Sequence, residues 1–158
     1  MKIVQQTLEM SGLDPRYLIL EITESAIMHH AEEVIDKLYK LKEMGVNLSI
    51  DDFGTGYSSL SYLKRFPIHA VKIDRSFIKE INIDPDDAAI VKAITAMAHS
   101  LNLKVIAEGV ETEEQLRFLS EQECDEAQGY FIGYPLSSDE FSQFLEEDKL
   151  GDLARKPI

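Results

Sequence analysis

The sequence is poor in cysteine and has no long apolar run. Cys124 is the one cysteine among 158 residues, so the chain cannot close an internal disulfide and offers no cysteine cluster for zinc. We expect Cys124 to be a small apolar filler. No apolar run approaches the roughly 18 residues of a membrane span, and the N-terminus lacks the apolar block of a signal peptide. By default, the sequence predicts a cytoplasmic protein with no membrane segment.

Positive charge is also scarce. The chain has 16 lysines and arginines against 29 aspartates and glutamates, which gives a formal net charge of −13 at pH 7. Because no basic stripe is present to replace the counterions around phosphates, we do not expect a nucleic-acid polymer as partner. A small phosphodiester is still compatible with this charge, since divalent cations held by carboxylates can attract an anion that the bare protein would repel.

The hydrophobic residues that are present, 44% of the chain, alternate between strand-like and helix-like patterns. They are sufficient for one domain with a real core. The predicted strands cover residues 17–23, 46–50, 68–73, 103–107 and 127–130. The predicted helices cover residues 1–13, 31–44, about 58–65, 85–101, a segment after Thr112 with Gln115 at capping-box spacing, and a last helix to about 147 after a second such box at Ser137 and Glu140. This alternation predicts βαβ units and a parallel α/β sheet.

Two adjacent carboxylates follow the second predicted strand directly. Asp51 and Asp52 precede a turn that contains Gly54 and Gly56. Neighbouring strand residues point to opposite faces, so both side chains can reach one point only where the strand is already bending. Two hard oxygen donors there suit Mg²⁺ or Mn²⁺. An Asp-Asp pair before glycine is equally typical of a cap on a turn or helix, and these residues alone leave both interpretations open.

Every predicted strand has polar residues at or near its carboxyl end. In parallel α/β sheets the ligand lies at that edge, so five such ends in succession predict one site. Taken singly, the same residues also fit a strand-end ion pair, a first-turn helix charge or a surface amide. The residues are Glu21, Asp51, Asp52, Lys72, Asp74, Glu108, Glu111 and Gln128.

Five segments carry a resemblance to a known family: residues 21–25, 51–60, 71–77, 107–112 and 125–130. In sequence and in order they resemble the motifs of EAL-type phosphodiesterases of the bacterial second messenger cyclic di-GMP. The resemblance covers roughly residues 5–147. It implies a modified TIM barrel, a (β/α) fold, whose enzymes hydrolyse one phosphodiester of cyclic di-GMP to give linear pGpG with two Mg²⁺ or Mn²⁺ ions.

The resemblance also implies a set of metal ligands. Glu21 and Asp51 resemble ligands of the first ion, whereas Asp51, Asp52 and Glu108 resemble ligands of the second, with Asp51 bridging. Two cations sharing a carboxylate can activate a water and stabilise an in-line displacement at phosphorus. Glu108 is also a candidate general base by the same resemblance.

Four further residues take roles from the resemblance. Lys72 resembles the lysine that holds the attacking water, and Asp74 belongs to the same motif. Among so many carboxylates Lys72 should stay protonated, so we expect an electrostatic stabiliser rather than a base. Glu111 resembles the residue that fastens the loop at about residues 54–60, and Gln128 resembles a substrate contact.

The chain departs from the family in places. The Glu-Ala-Leu motif and a strand bearing an Asn ligand do not occur in it, and a full barrel takes roughly 250 residues and eight strands. We therefore expect an incomplete barrel of about five strands over residues 1–147, followed by a tail at 148–158. Where the family often has a basic residue before Pro135, this chain has Tyr134.

An incomplete barrel affects both assembly and activity. Its first strand would have an unpaired edge, which predicts a homodimer, a higher oligomer or association with a separate N-terminal segment. We expect phosphodiesterase activity, impaired in this chain as it stands. A non-catalytic cyclic di-GMP sensor or interaction module remains an alternative. An unrelated metal-dependent barrel enzyme is a weaker one, because the motifs agree in order as well as in content.

Overall fold

The chain forms one five-stranded parallel sheet whose connections contain helices. The computed structural model describes residues 2–29, 31–56 and 60–146. Each strand pairs in parallel with the next strand along the chain. Parallel neighbours need such crossover connections, since a tight turn cannot join them. The strands are β1 (Ile19–Thr23), β2 (Asn47–Phe53), β3 (Ala70–Ile73), β4 (Lys104–Glu108) and β5 (Glu126–Gln128).

Eight α-helices and one short 3₁₀ helix (Pro15–Tyr17) lie in the described part of the chain. The α-helices are α1 (Lys2–Ser11), α2 (Glu24–His29), α3 (Ala31–Glu43), α4 (Leu60–Leu63), α5 (Arg75–Lys79), α6 (Pro85–Ser100), α7 (Glu113–Glu121) and α8 (Ser138–Glu146). Helices α2 and α5 were not predicted, because helices of five or six residues are too short to show a helical repeat of apolar positions. In the described residues, no helix has both the length and the apolar character needed to cross a membrane.

Side-chain hydrogen bonds from neighbouring residues begin several of these helices, and the sequence predicted the two capping boxes among them. Asp84 accepts a hydrogen bond from a backbone N–H in the first turn of α6. Thr112 and Gln115 form a reciprocal capping box before α7, and Ser137 and Glu140 form another before α8. Such caps satisfy N–H groups that the helix itself leaves without partners. The predicted end of the last helix at 147 and the tail at 148–158 lie outside the described residues.

The core lies along the middle of the sheet and beneath its helices. Ile50, Val71 and Val105 are in register on β2, β3 and β4, and all three are fully buried. Every residue of β3 is buried. Cys124 is also buried, as the sequence predicted, and burial raises the pKa of its thiol to about 11. A thiol held neutral in this way serves packing.

The first strand differs from its prediction. The nearly continuous apolar run at residues 17–23 is typical of a strand buried on both faces, but Ile19, Glu21 and Thr23 are exposed, and Leu20 and Ile22 are only half-buried. The reason is the position of β1 at the edge of the sheet, where β2 is its one strand partner among the described residues. In this part of the chain β1 and β5 do not meet, so the TIM-barrel-like sheet is not closed.

The second strand is longer than predicted. It does not end at Ile50 but continues through both aspartates to Phe53. Its pairing with β3 shifts register between Ile50 and Phe53. Such an irregularity bends a strand and re-aims its side chains, and bulges of this kind are frequent beside active sites.

Candidate metal and substrate site

Three carboxylates meet where β2 and β4 end. Asp51, Asp52 and Glu108 each offer one oxygen, and these oxygens lie within 4.8 Å of one another. All three side chains are half-buried. The structure thus brings together the residues that the sequence analysis proposed for the second metal ion. Clustered carboxylate oxygens are the donor type that Mg²⁺, Mn²⁺ and Ca²⁺ prefer.

The backbone of Asp52 explains how two neighbouring side chains can face the same point. Asp52 has φ 55°, in the left-handed region, and its backbone N–H donates a hydrogen bond to Asp51 Oδ1 at 3.1 Å. Residues other than glycine seldom adopt this conformation, although aspartate does so more readily than most. The strand bends at the aspartates, as expected, and this conformation keeps the oxygens of both residues in one cluster.

Lys72, on β3, lies under the acidic cluster. Its side chain is 5% exposed, and its ammonium nitrogen is 2.8 Å from Glu21 Oε1, 3.3 Å from Asp51 Oδ1 and 2.5 Å from Glu108 Oε1. Burial alone would lower the pKa of Lys72, but hydrogen bonds to Glu108 and Glu21 raise it well above its ordinary value. Lys72 is therefore protonated at neutral pH in this arrangement, and its part as an electrostatic stabiliser rather than a base stays a prediction. Glu21, a charged residue in the otherwise largely apolar strand β1, is paired with Lys72.

The loop after β2 is held by Glu24, a residue that the sequence analysis did not select. Glu24 is 1% exposed. Its Oε2 accepts hydrogen bonds from the backbone N–H groups of Gly54 at 2.9 Å and Gly56 at 3.4 Å. Added to Gly56, a Cβ would come 2.9 Å from Glu24 Oε1, so the close approach depends on glycine. The signal in the sequence was weak: Glu24 follows Glu21 by three residues within a motif.

Glu111, expected to fasten this loop, is exposed. Its backbone N–H donates a hydrogen bond to Gln115 Oε1 at 2.7 Å. Glu111 lines a recess of about 230 Å³ with Glu108 and Gln128. Residues 57–59 of the loop lie outside the described residues, so the role of the Glu111 side chain stays a prediction.

The two remaining predicted residues lie at the same edge of the sheet. Asp74 caps α5, accepting hydrogen bonds from the backbone N–H of Ser76 at 3.0 Å and from its hydroxyl at 2.5 Å. Gln128 is exposed at the end of β5 and lines the 230 Å³ recess. A catalytic part for Asp74 and a substrate contact for Gln128 remain predictions.

The fold and this site together define a class: a TIM-barrel-like α/β protein with carboxylates and a buried lysine at the carboxyl ends of its strands. The particular family follows from comparison with known proteins. A model of the EAL domain family matches residues 1–135. The chain therefore belongs to the EAL domain family.

Two curated relatives come from Pseudomonas aeruginosa. NbdA, named as a cyclic di-GMP phosphodiesterase, is 51% identical over 142 residues, which are 90% of this chain and 18% of NbdA. MucR, named as a bifunctional diguanylate cyclase/cyclic di-GMP phosphodiesterase, is 52% identical over 137 residues, which are 87% of this chain and 20% of MucR. The chain thus spans about a fifth of the length of these relatives.

Solved structures agree with this assignment. The MucR phosphodiesterase in complex with c-di-GMP matches with a TM-score of 0.85 and 51% identity, covering 87% of this chain and 56% of that one. A manganese and c-di-GMP complex of BlrP1 from Klebsiella pneumoniae matches with a TM-score of 0.79 and 33% identity, covering 85% of this chain and 34% of that one.

Proposed function

We propose that the chain is the part of a cyclic di-GMP phosphodiesterase that carries most of its catalytic site, and that the complete site hydrolyses cyclic di-GMP to linear pGpG. The observation that carries this proposal is the Asp51, Asp52 and Glu108 cluster above the buried Lys72, in a chain of the EAL family. The names of NbdA and MucR support the activity, and the c-di-GMP complex of MucR supports the substrate.

The donor set fits a divalent cation. Three carboxylate oxygens within 4.8 Å of one another can converge on one ion, and we propose that Asp51, Asp52 and Glu108 hold it. We propose that Asp51 and Glu21, which both contact Lys72, would hold the first ion. The manganese complex of BlrP1 supports a divalent cation, for which we propose Mn²⁺ or Mg²⁺. When bound, the two ions would supply an activated water and charge neutralisation at phosphorus.

The chain's own residues have separate tasks in this proposal. Lys72, protonated and fixed by carboxylates from β1, β2 and β4, holds the attacking water and stabilises negative charge as it develops. Glu108 accepts the proton of that water. Glu24 accepts hydrogen bonds from the backbone amides of Gly54 and Gly56 in the loop after β2. The backbone beside the aspartates is therefore fixed before substrate arrives. Gln128 contacts the substrate.

Turnover by residues 1–158 alone should be absent or feeble. The resemblance implies two more ligands, from the Glu-Ala-Leu segment and from an Asn-bearing strand, and neither segment is in this sequence. Without them the first ion would be placed largely by water, and a misplacement of about 1 Å can cost on the order of 10²-fold in rate. Supplying the missing strands, fused or in trans, should restore metal-dependent pGpG formation.

Chromatographic measurement of pGpG tests the proposal, with Mg²⁺ or Mn²⁺ present. The restored protein should form pGpG, and Glu108→Ala should abolish that activity, whereas Glu113→Ala, an exposed glutamate on α7, should not. Robust turnover by residues 1–158 alone would show that the missing ligands matter less than we propose. No turnover after restoration would overturn the phosphodiesterase assignment.

A non-catalytic cyclic di-GMP sensor is the second candidate, and one observation favours it. Lys72 already offsets part of the negative charge of Glu21, Asp51 and Glu108, so the cluster is compatible with a folded state that holds no ion. A sensor would bind cyclic di-GMP, change its affinity for a partner protein and release no pGpG. The same chromatographic assay therefore separates the two candidates.

A further inference from the structure

Gln115, in the first turn of α7, is a buried polar residue whose side chain makes more hydrogen bonds than its helix requires. It is 6% exposed. Its Oε1 accepts from the backbone N–H of Thr112 at 3.0 Å, the bond that a capping box needs. The same oxygen also accepts from the backbone N–H of Glu111 at 2.7 Å. The amide nitrogen donates to the carbonyl oxygens of Ile78 at 3.1 Å and Lys79 at 3.2 Å, so the side chain also reaches the end of α5.

The residue type at this position matters for the bonds to α5 and not for the cap. A capping box accepts Glu as well as Gln. A carboxylate has no N–H to donate, however, and its charge would face the carbonyl oxygens of Ile78 and Lys79. The neutral amide of Gln115 has two N–H groups for the two carbonyls and two lone pairs for the two backbone donors. Glutamine therefore suits a bridge between α5 and residues 109–112.

This bridge joins the two segments of chain that carry Lys72 and Glu108. Lys72 lies on β3, and α5 follows that strand after Asp74. Glu108 is the last residue of β4, and residues 109–112 lead from it into α7. The contact of 2.5 Å between Lys72 Nζ and Glu108 Oε1 links the segments at one end, and Gln115 links them at the other. Because the two links close one ring of chain, opening either link loosens the other.

The turn at residues 109–112 is held from both sides. Gly109 has φ 74°, and a Cβ added there would come 2.7 Å from Arg75 Cβ at the start of α5. Val110 N–H donates to the Gln128 carbonyl at 3.1 Å, which ties the turn to β5. Since β4 lies between β3 and β5, Gln115 holds the turn from the opposite side. A shift of this turn would move Glu108, which directly precedes it.

We propose that Gln115 is a positioning residue for the metal site. By holding residues 109–112 against α5, it sets the position of the Glu108 carboxylate relative to Asp51 and Asp52. The inference deepens the proposed function and rests on it. Gln115 touches neither the ion nor the substrate and acts through Glu108. Groups behind a metal ligand fix the orientation of that ligand, and their loss commonly costs about 10–100-fold in metal affinity or activity.

Gln115→Glu separates the bridge from the cap, because the cap accepts either residue. The probe is Mn²⁺ alone, titrated into the 158-residue chain at pH 8 and followed by electron paramagnetic resonance. We expect Mn²⁺ binding to weaken about tenfold, although the added negative charge would by itself strengthen cation binding. A residue that only caps α7 would give unchanged or tighter binding. Gln115→Met removes all four hydrogen bonds and should weaken binding at least as much.

Two controls show whether the effect passes through Glu108. Thr95→Val removes another buried side-chain hydrogen bond, one that stays within α6, and should leave Mn²⁺ binding unchanged. In a Glu108→Gln background, Gln115→Glu should weaken the remaining binding by less than about twofold, because the ligand that Gln115 positions is already lost. Urea unfolding of each variant checks that the titrated protein is folded.

Turnover of the protein with its missing strands restored gives a second readout. Because Gln115 is buried and acts through Glu108, Gln115→Glu should lower kcat for cyclic di-GMP about tenfold and leave KM nearly unchanged. A rise in KM with kcat unchanged would place Gln115 in substrate binding and contradict the inference.

The outcomes separate this inference from the proposed function. Absence of Mn²⁺ binding by the parent chain, with strands restored as well, would overturn both. Normal binding by the parent together with unchanged binding by Gln115→Glu would overturn the positioning role and leave the proposed function standing. An equal loss in the parent and in the Glu108→Gln background would also overturn the positioning role, since Gln115 would then be serving the fold rather than Glu108.

Discussion

At the scale of single residues, Lys72 and a metal ion require the same oxygens. The ammonium contacts Glu21, Asp51 and Glu108, while the candidate ion site uses Asp51 and Glu108 with Asp52. A buried cation among carboxylates offsets their mutual repulsion, and removing one member of such a group leaves the others uncompensated. Lys72 therefore stabilises the fold in the absence of metal, and it is also a candidate for catalysis.

Lys72→Met should therefore destabilise the metal-free chain by about 1–3 kcal/mol, because the carboxylates lose a hydrogen-bonding counter-charge. Millimolar Mg²⁺ should recover part of this loss. Urea unfolding with and without Mg²⁺ measures both effects. Lys104→Met is the control: its ion pair with Glu126 joins half-exposed side chains and is worth about 0–1 kcal/mol.

The pKa of Lys72 sets the pH range over which Lys72 stabilises the fold. Because the folded-state pKa is raised above its unfolded value, the stabilisation is complete below the unfolded pKa and is lost only as pH rises through the folded value. The difference between parent and Lys72→Met should accordingly be constant from pH 7 to 9. A difference that declined within that range would show that the ammonium is not held as described.

Asp51→Asn should remove most divalent-cation binding. Asp51 contributes an oxygen to the cluster and also contacts Lys72, and an amide is a weaker ligand than a carboxylate for hard cations. Calorimetry with Mg²⁺ or electron paramagnetic resonance with Mn²⁺ measures the loss. Asp36→Asn, an exposed position on α3, should bind as the parent does. Equal binding by Asp51→Asn would exclude Asp51 as the bridging ligand.

At the scale of elements, the first residue of α2 supports the loop after β2. Glu24 accepts from the amides of Gly54 and Gly56, thirty or more residues along the chain. Gly54 has φ 99°, a conformation that strains any side chain. The loop therefore depends on a buried carboxylate and on glycines, and it adjoins the two aspartates.

Glu24→Ala should loosen this loop and destabilise the fold by about 1–3 kcal/mol, because the glycine amides lose their buried acceptor. Glu24→Gln keeps one carbonyl oxygen and should show a smaller effect. Hydrogen exchange at Gly54 and Gly56, measured by NMR, reports the loop directly. Glu9→Ala on the exposed face of α1 is the control, and exchange unchanged in Glu24→Ala would contradict the assignment.

At the scale of the whole molecule, the sheet has two free edges in the described residues. β1 pairs only with β2, and β5 pairs only with β4. Ile3, Met10, Tyr17 and Ile19 are exposed apolar side chains at or before β1. An unpaired edge beside exposed apolar residues promotes association with another chain.

Residues 1–158 should consequently form a dimer or a higher oligomer, and restoring the missing strands should reduce that association. Sedimentation velocity over a hundredfold dilution measures the state of the chain. Replacement of Ile19 by Lys should shift the equilibrium toward monomer, because charges on edge strands oppose pairing. A compact monomer that persists at all concentrations would contradict this prediction.

The order of elements and the placement of most site residues could be predicted from the sequence. Helix caps such as Thr112 with Gln115 involve neighbours in the chain, and apolar repeats mark strands and helices independently of their surroundings. Because parallel strands present their carboxyl ends together, Asp51, Lys72 and Glu108 could be assigned to one edge before any contact was known.

Tertiary structure alone decided the remaining features, because each depends on strands that are distant in sequence. The exposure of β1 follows from its place at the edge of the sheet rather than from its apolar composition. The three partners of Lys72 come from three other strands, and Glu24 bonds a loop thirty residues away. Local patterns carry no information on such pairings, since strand order and register determine which side chains meet.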